Sequence, residues 1–186
     1  MKLKDIAQIT IGLSLNRKKS KEKTNYKYKQ FTLKCFDTDF IYPNDEFEIF
    51  YSKEPINQKY LTQQNDIVIR LRYPIKALYI DKYHKDILVP SVMAIIKPTK
   101  NIDIKFLTYY LNSMIIKKEL KTKIEGTQIP MIGIKDLNEL EINLPDLKKQ
   151  NQITQILEIN DKEIQLLEEL RNQKKLLKEA IIKEIK

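Results

Sequence analysis

The sequence predicts a mixed α/β domain followed by one long C-terminal α-helix. Short runs of β-branched and aromatic residues, separated by turn residues, occur throughout the first half of the chain. Apolar residues then recur at three- and four-residue steps over residues 104–121, which predicts one amphipathic helix packed on a sheet. From about residue 148 to residue 186 the chain contains neither proline nor glycine, so no residue interrupts a helix there.

The elements of the α/β domain follow in order from local patterns. Residues 3–11 predict a short helix that runs into a strand, and the lysine-rich residues 17–29 predict a loop. Turn residues predict loops at 37–44, 65–66 and 126–130, and residues 137–144 predict a short helix or turn plus a strand. Further strands are predicted at residues 30–36, 47–51, 67–69, 77–80, 87–89 and 92–96. The core face of the 104–121 helix is predicted to comprise Phe106, Leu107, Tyr110, Leu111, Met114 and Ile115.

Composition excludes several classes of function. The 186 residues include only three glycines, so neither a phosphate loop nor a dinucleotide-binding fingerprint is present. Cys35 and His84 are the only residues of their types, which argues against a structural zinc site, a histidine-rich metal cluster and Ser-His-Asp catalysis. We expect Cys35 in the core, His84 in a loop, and no metal. Without a long apolar run or a signal-like N-terminus, we expect a cytoplasmic protein without membrane association.

Positive charge is concentrated in residues 17–29, which we call the basic segment. The chain carries a net charge of +9, and this segment holds seven basic residues against Glu22 alone. Such a segment attracts polyanions, and phosphate contacts release condensed counterions. The same composition is also typical of a solvated, mobile loop. The candidates for phosphate contact are the lysines Lys18, Lys19, Lys21, Lys23, Lys27 and Lys29.

Contacts with DNA bases would require forked donors and acceptors in exposed loops. Arg70 and Arg72 flank Leu71 in an alternating stretch, so both are predicted on one face. Ion pairing with Asp66 or Asp81 is the alternative role for these two arginines. The full set of base-contact candidates is Arg17, Asn25, Arg70, Arg72, Tyr73, Lys76 and Gln128.

The predicted C-terminal helix carries an apolar stripe with an imperfect heptad spacing. A helix of this length is about 54 Å long and would overhang a domain of about 145 residues. Pairing with a second chain or with a partner therefore explains the stripe better than packing on its own domain, which stays the alternative. Polar residues on such a seam cost stability but fix its register. The seam is predicted to comprise Ile153, Ile156, Asn160, Leu167, Leu170, Lys174, Leu177 and Ile181.

Several elements together resemble the specificity-subunit family of type I restriction–modification systems. Leu3-Lys4-Asp5-Ile6 is similar to the family's opening, and Tyr60-Leu61 with Asp66-Ile67 is similar to its leucine, Gly-Asp, strand element. One departure is Asn65 in place of glycine, which is expected to keep the turn. Others are Asn143 and Asp146 in place of prolines, which are expected to weaken the rigid start of the helix. The elements nearest the helix are Phe106-Leu107, Tyr109-Tyr110-Leu111-Asn112-Ser113, Gly126-Thr127-Gln128-Ile129-Pro130-Met131-Ile132, Leu137, Leu140-Glu141-Ile142-Asn143-Leu144-Pro145-Asp146-Leu147, Gln150 and Ile153.

This resemblance implies a target-recognition domain at residues 1–147 that reads one half of a split DNA site. Residues 148–186 would form the spacer and dimerisation helix, paired antiparallel in a coiled coil. Because we find one such unit instead of two in tandem, we expect a half-length subunit whose homodimer reads an inverted repeat. The implied partners are double-stranded DNA, a second copy of the chain, modification subunits and, in systems that contain them, restriction subunits.

The resemblance also implies a chain without catalytic residues or a cofactor of its own. Methylation and its S-adenosylmethionine would belong to the partner modification subunit. Glu119-Leu120-Lys121 and Glu184-Ile185-Lys186 have a Glu-x-Lys pattern found in nucleases, but they share no strand context. A different interpretation is a non-enzymatic coiled-coil interaction module that binds nucleic acid without sequence preference.

Overall fold

A computed structural model describes residues 1–124 and 131–184 of the chain. Its main sheet has four antiparallel strands in the order β1-β6-β4-β5, and a separate two-stranded ribbon pairs β2 with β3. A mixed α/β domain with a long C-terminal helix is therefore confirmed. The strands are β1 (Ala7–Ile11), β2 (Lys27–Gln30), β3 (Glu48–Tyr51), β4 (Ile67–Arg70), β5 (Ala77–Tyr79) and β6 (Met93–Pro98).

Three strands of the main sheet, β4, β5 and β6, are buried on both faces. Ile67 and Ile69 of β4 pack on one face, against residues of the helices, while Val68 between them packs on the other. A strand buried on both sides needs apolar residues at every position, which explains its continuous apolar run. Phe31 and Cys35 belong to the second core, so the expectation of Cys35 as a small core residue is confirmed. Burial raises the pKa of the Cys35 thiol, which makes it a poor nucleophile.

The predicted strand over residues 30–36 is wrong. β2 ends at Gln30, and a single 3-10 turn follows at Leu33–Phe36. The hydroxyl of Thr32 and the thiol of Cys35 donate to the same carbonyl oxygen, that of Glu46, at 2.7 and 3.4 Å. This turn brings Cys35 and Phe36 onto the core, which an extended strand could not do with adjacent residues. Similarly, residues 87–89 form only isolated bridges to Gln30 and Leu61 and no regular strand.

The predicted single helix over residues 104–121 is in fact two helices, α1 (Ile104–Leu111) and α2 (Met114–Ile124). Asn112 interrupts it because its side-chain amide pairs with the backbone of Ala77 at the edge of β5. Its oxygen accepts from the Ala77 N–H at 2.9 Å, and its nitrogen donates to the Ala77 carbonyl at 2.8 Å. The prediction of Met114 and Ile115 as core residues is wrong, since they are 67% and 74% exposed.

The remaining elements are a short helix and the long C-terminal helix. α3 (Ile134–Asn138) packs beside β1, and α4 (Leu147–Glu184) contains 38 residues. Its length is about 57 Å at 1.5 Å per residue. No helix in the described ranges combines the length and apolar character that crossing a membrane requires.

Gly12 lies where the chain leaves β1 and crosses the backbone of residues 89–90. A Cβ atom at this position would lie 2.2 Å from the carbonyl oxygen of Pro90 and 2.4 Å from that of Val89. Backbone atoms cannot move aside as a flexible side chain can, so only glycine allows this close approach.

We expect Gly12→Ala to lower the free energy of unfolding by at least about 2 kcal/mol, measured by urea denaturation. Gly133→Ala is the matched control, because the nearest atom to a Cβ there is the side-chain oxygen of Asp136, at 3.1 Å, and the backbone is no closer than 4.0 Å. Its cost should stay below about 1 kcal/mol. Equal losses in the two variants would contradict this account of Gly12.

Candidate nucleic-acid interface

The strand register brings two of the predicted DNA-contacting segments to one end of the sheet. Ile11 at the end of β1 and Ile69 near the end of β4 both pair with Ala94, near the start of β6. Strands that flank a common neighbour lie about 10 Å apart. The chain that leads into the basic segment and the loop that joins β4 to β5, residues 71–76, therefore leave the sheet at the same end. We call residues 71–76 the hairpin loop.

The basic segment is more ordered than the loop predicted for it. Its last residues form β2, and Thr24 donates its hydroxyl to the carbonyl oxygen of Ser52 at 2.6 Å. The Lys53 N–H donates to the Lys18 carbonyl at 2.9 Å, which ties the start of the segment to the end of the ribbon. The ammonium of Lys18 pairs with Glu54, so this phosphate candidate already has an acidic partner. The other candidates in the segment are exposed: Arg17, Lys19, Lys21, Lys23, Asn25, Lys27 and Lys29.

In the hairpin loop the structure separates residues that the sequence grouped together. Arg72 and Tyr73 are exposed, Tyr73 to 64%. The guanidinium of Arg70, at the end of β4, instead points toward the hairpin loop. Its Nη2 donates to the Tyr73 carbonyl at 3.2 Å, and its Nε is buried without a partner. Lys76 donates to the carbonyl of Thr38, and burial lowers the pKa of its ammonium. Only Arg72 and Tyr73 present their side chains fully to a ligand.

The alternative role for the two arginines, ion pairing, is absent from the described residues. Asp66 pairs with Lys97 at 3.4 Å, and Asp81 accepts from His84, with 2.7 Å between the carboxylate oxygen and Nδ1. Both acids are therefore engaged elsewhere. His84 lies in a loop, as expected, although its side chain is largely covered. The last base-contact candidate, Gln128, lies outside the described residues.

Two groups of exposed cations extend these surfaces and were missed by sequence reasoning. Lys85 and Tyr83, which is 75% exposed, line a concavity together with Lys27 and Lys29 of the ribbon. The run Lys82-Tyr83-His84-Lys85 was the signal that could have revealed this group. The second concavity lies between Tyr73 of the hairpin loop and α2, whose lysines were considered only as part of a core helix. It is lined by Tyr73, Met114, Lys117, Lys118 and Lys121.

The long helix is fixed to the domain by polar side chains along its first four turns. Gln150, only 4% exposed, accepts from the Asp103 N–H at 3.0 Å and donates to the Pro145 carbonyl at 2.7 Å. Beyond it, Glu158 pairs with Lys105 of α1, and the Tyr109 hydroxyl donates to Asp161 at 2.6 Å. We call the group Lys105, Tyr109, Glu158 and Asp161 the clasp.

Electrostatics in the clasp favour the charged form of Lys105 and the neutral form of Tyr109. Burial works to lower the pKa of Lys105, but its interactions with Glu158 and Tyr42 outweigh burial and raise that pKa. Burial and the hydrogen bond to Asp161 both raise the pKa of Tyr109, so the phenol keeps its proton and stays a donor. Hydrogen bonds of this kind, between a partly buried donor and a carboxylate, are among the stronger ones in proteins.

The clasp also fixes the direction in which α4 leaves the domain. The contacts between the start of α4 and α1 follow the same order along both helices, from Asp103–Gln150 to Tyr109–Asp161. α1 itself runs from the end of the sheet where β6 finishes toward Ala77, where β5 begins. The helix is therefore directed toward the end of the sheet that carries the hairpin loop.

From residue 162 to residue 183 the helix is exposed on all sides, and we call residues 162–184 the rod. The alternative of a helix lying along its own domain thus holds only as far as Asp161. At about 100° per residue, most of the predicted seam lies opposite the side that docks on α1. Ile153 is half-buried at the margin of the docked side. The exposed members are Ile156, Asn160, Leu167, Leu170, Lys174, Leu177 and Ile181.

Comparison with known families decides the class of this domain. The model of the type I restriction modification DNA specificity domain matches residues 1–175. The chain belongs to this family. No protein of curated function matches it.

Solved structures share the specificity-domain fold at low sequence identity. A chain from a study of complex assembly and conformational transition in the type I R-M system has 18% identity and a TM-score of 0.62, covering 90% of this chain and 39% of its own. The HsdS subunit of Thermoanaerobacter tengcongensis has 19% identity and a TM-score of 0.60, and the match covers 90% of this chain and 38% of that subunit. The S subunit of M. genitalium has 18% identity and a TM-score of 0.55, and the match covers 87% of this chain and 38% of that subunit. The chain thus spans about two fifths of the length of these structures.

Two departures from the family pattern are accommodated in this specificity domain. Asn65 has φ 70°, a left-handed conformation that asparagine tolerates, so the turn before β4 is kept. The weaker helix start expected from Asp146 is not found. Its carboxylate accepts from the Lys149 N–H at 2.9 Å, which caps the first turn of α4.

Removing one side of the Tyr109–Asp161 contact should loosen the docking of α4 on α1. We expect Tyr109→Phe and Asp161→Ala each to lower the free energy of unfolding by about 1–2 kcal/mol, measured by urea denaturation. The double variant should lose less than the sum, because both changes remove one hydrogen bond. Tyr83→Phe, at an exposed tyrosine, is the control and should have no effect. Additive losses would show that the two residues act independently.

Proposed function

We propose that this specificity domain is the DNA-reading component of a type I restriction–modification system. In this proposal residues 1–147 read one half of a split DNA site, and the rod pairs with a second copy that reads the other half. The observation that supports the proposal is that the two candidate segments leave the same end of the sheet. These are the hairpin loop and the chain leading to the basic segment, and the docked helix also runs toward this end.

The two exposed groups would divide the work of DNA recognition. Phosphate contacts position a protein on the duplex, and base-edge contacts provide its specificity. Lys19, Lys21 and Lys23, exposed and held by the ribbon, suit phosphates. Arg72 suits a guanine edge, for which its forked guanidinium presents two donors, and Tyr73 beside it offers an exposed ring.

Catalysis belongs to partners in this proposal. Among the described residues, no three His, Cys, Asp or Glu side chains are grouped so that they could hold a metal ion. The chain would contribute the reading surface and the rod, and modification subunits that bind S-adenosylmethionine would dock on this frame. A coiled-coil module that binds nucleic acid without sequence preference is the competing proposal. It predicts equal affinity for all duplexes.

Substitutions in the two groups should have different effects on DNA binding. We expect Arg72→Ala to weaken binding to the target duplex by about 1–3 kcal/mol while binding to unrelated duplexes changes little. Lys23→Ala should weaken all duplexes about equally and reduce the slope of affinity against salt by about one unit. Fluorescence anisotropy on the complex with modification subunits, at several salt concentrations, measures both. If Arg72→Ala lowers the affinity for target and competitor alike, its role as a base reader is wrong.

The sites methylated in a host that carries this chain and its modification partner test the two-copy arrangement. Two identical readers related by a two-fold axis should produce an inverted repeat separated by a nonspecific spacer. Methylome sequencing identifies the motif directly. Two unrelated half-sites would show that a second, different reading domain is present.

A further inference from the structure

Between residues 156 and 181 the seam contains two charged residues, Glu163 and Lys174, among mostly apolar ones. Both lie on the side of α4 opposite the docked face, and both are exposed. Neither has an ion-pair partner among the described residues, whereas some lysines of the domain, such as Lys2, Lys4 and Lys18, are paired. A charge on the seam of a coiled coil is costly unless the facing chain compensates it.

We propose that the rod binds a second copy of this chain antiparallel, in the one register that places Glu163 of each copy opposite Lys174 of the other. The inference rests on the proposed dimeric function and deepens it by fixing which residues meet. In antiparallel pairs a position of one heptad series faces a position of the other series. The two series are Ile153, Asn160, Leu167, Lys174 and Ile181, and Ile156, Glu163, Leu170, Leu177 and Glu184.

One alignment of the two series gives every exposed seam position from 156 to 181 a facing residue and pairs the two charges. When the two-fold axis lies midway between residues 167 and 170, Leu167 faces Leu170 and Ile156 faces Ile181. Asn160 then faces Leu177. The two charged residues face each other, and by symmetry this ion pair occurs twice in the dimer.

Shifts by one heptad leave Glu163 and Lys174 uncompensated. A shift by one heptad in either direction moves Glu163 opposite Leu167 or Ile181, and Lys174 opposite Ile156 or Leu170. A parallel pair in register would place Glu163 against Glu163 and Lys174 against Lys174, which is repulsive. The charge pattern thus favours one orientation and one register.

The register determines how far apart the two domains lie. In the proposed alignment the two Asp161 residues, where the helices leave their domains, are about 22 Å apart along the rod at 1.5 Å per residue. A shift by one heptad would change this distance by about 10 Å, the length of about three base pairs. The seam charges would therefore help set the separation between the half-sites that the dimer reads.

Charge reversal on the isolated full chain tests the register by analytical ultracentrifugation. Glu163→Lys and Lys174→Glu should each weaken homodimerisation about tenfold or more, because each change creates two like-charged pairs. Mixing the two variants should restore a heterodimer, and the double variant should dimerise as the wild type does. Glu168→Lys and Lys175→Glu are the matched controls, with the same charge changes on the opposite side of the rod, and should dimerise normally.

Several outcomes would overturn the inference. If the single variants dimerise as well as the wild type, the charges do not face each other. If the double variant or the mixture fails to dimerise, the pairing is wrong. A wild-type chain that stays monomeric until modification subunits are added would show that the stripe binds that partner. In each case DNA binding by the complex remains a separate measurement, so the register can fail while the proposed DNA-reading function stands.

Discussion

The docking of α4 on α1 is the constraint on which the arrangement of this molecule depends. A helix that is exposed beyond Asp161 has no direction relative to the domain unless its first turns are fixed. Gln150, Glu158 and Asp161 fix it through hydrogen bonds, which require particular distances and angles. Apolar contacts alone would tolerate sliding and rotation. The polar contacts therefore convert a flexible attachment into a defined angle between the domain and the rod.

The doubly buried sheet supplies the rigid base for the same arrangement. Because both faces of β4 and β6 are covered, the strands cannot shift without exposing one of two cores. The hairpin loop and the start of the basic segment project from strands that share β6 as a neighbour, so their relative positions are held by backbone hydrogen bonds. Variable loops on such a base allow the contacted sequence to change without a change in fold.

Sequence reasoning succeeded where the deciding interactions are local. The long helix follows from the absence of Pro and Gly, and the turn at Asn65 follows from the residues beside it. It failed where a side chain bonds to distant backbone. Asn112 ends α1 because of Ala77, and Thr32 turns the chain because of Glu46. Neither partner is visible in the local pattern, since both lie more than ten residues away.

The same distinction applies to the predicted DNA contacts and explains why charge counting overestimates a binding surface. Arg70 and Arg72 are two residues apart and chemically identical, yet the guanidinium of Arg70 is partly buried and bonded to the Tyr73 carbonyl, whereas Arg72 is exposed. Lys18 and Lys21 differ in the same way, because only Lys18 has Glu54 within reach. A side chain that already has an intramolecular partner must give it up before it can bind a phosphate or a base, and that loss offsets the gain. The residues with the most to contribute are thus those that the fold leaves exposed and without partners, and in the hairpin loop these are Arg72 and Tyr73.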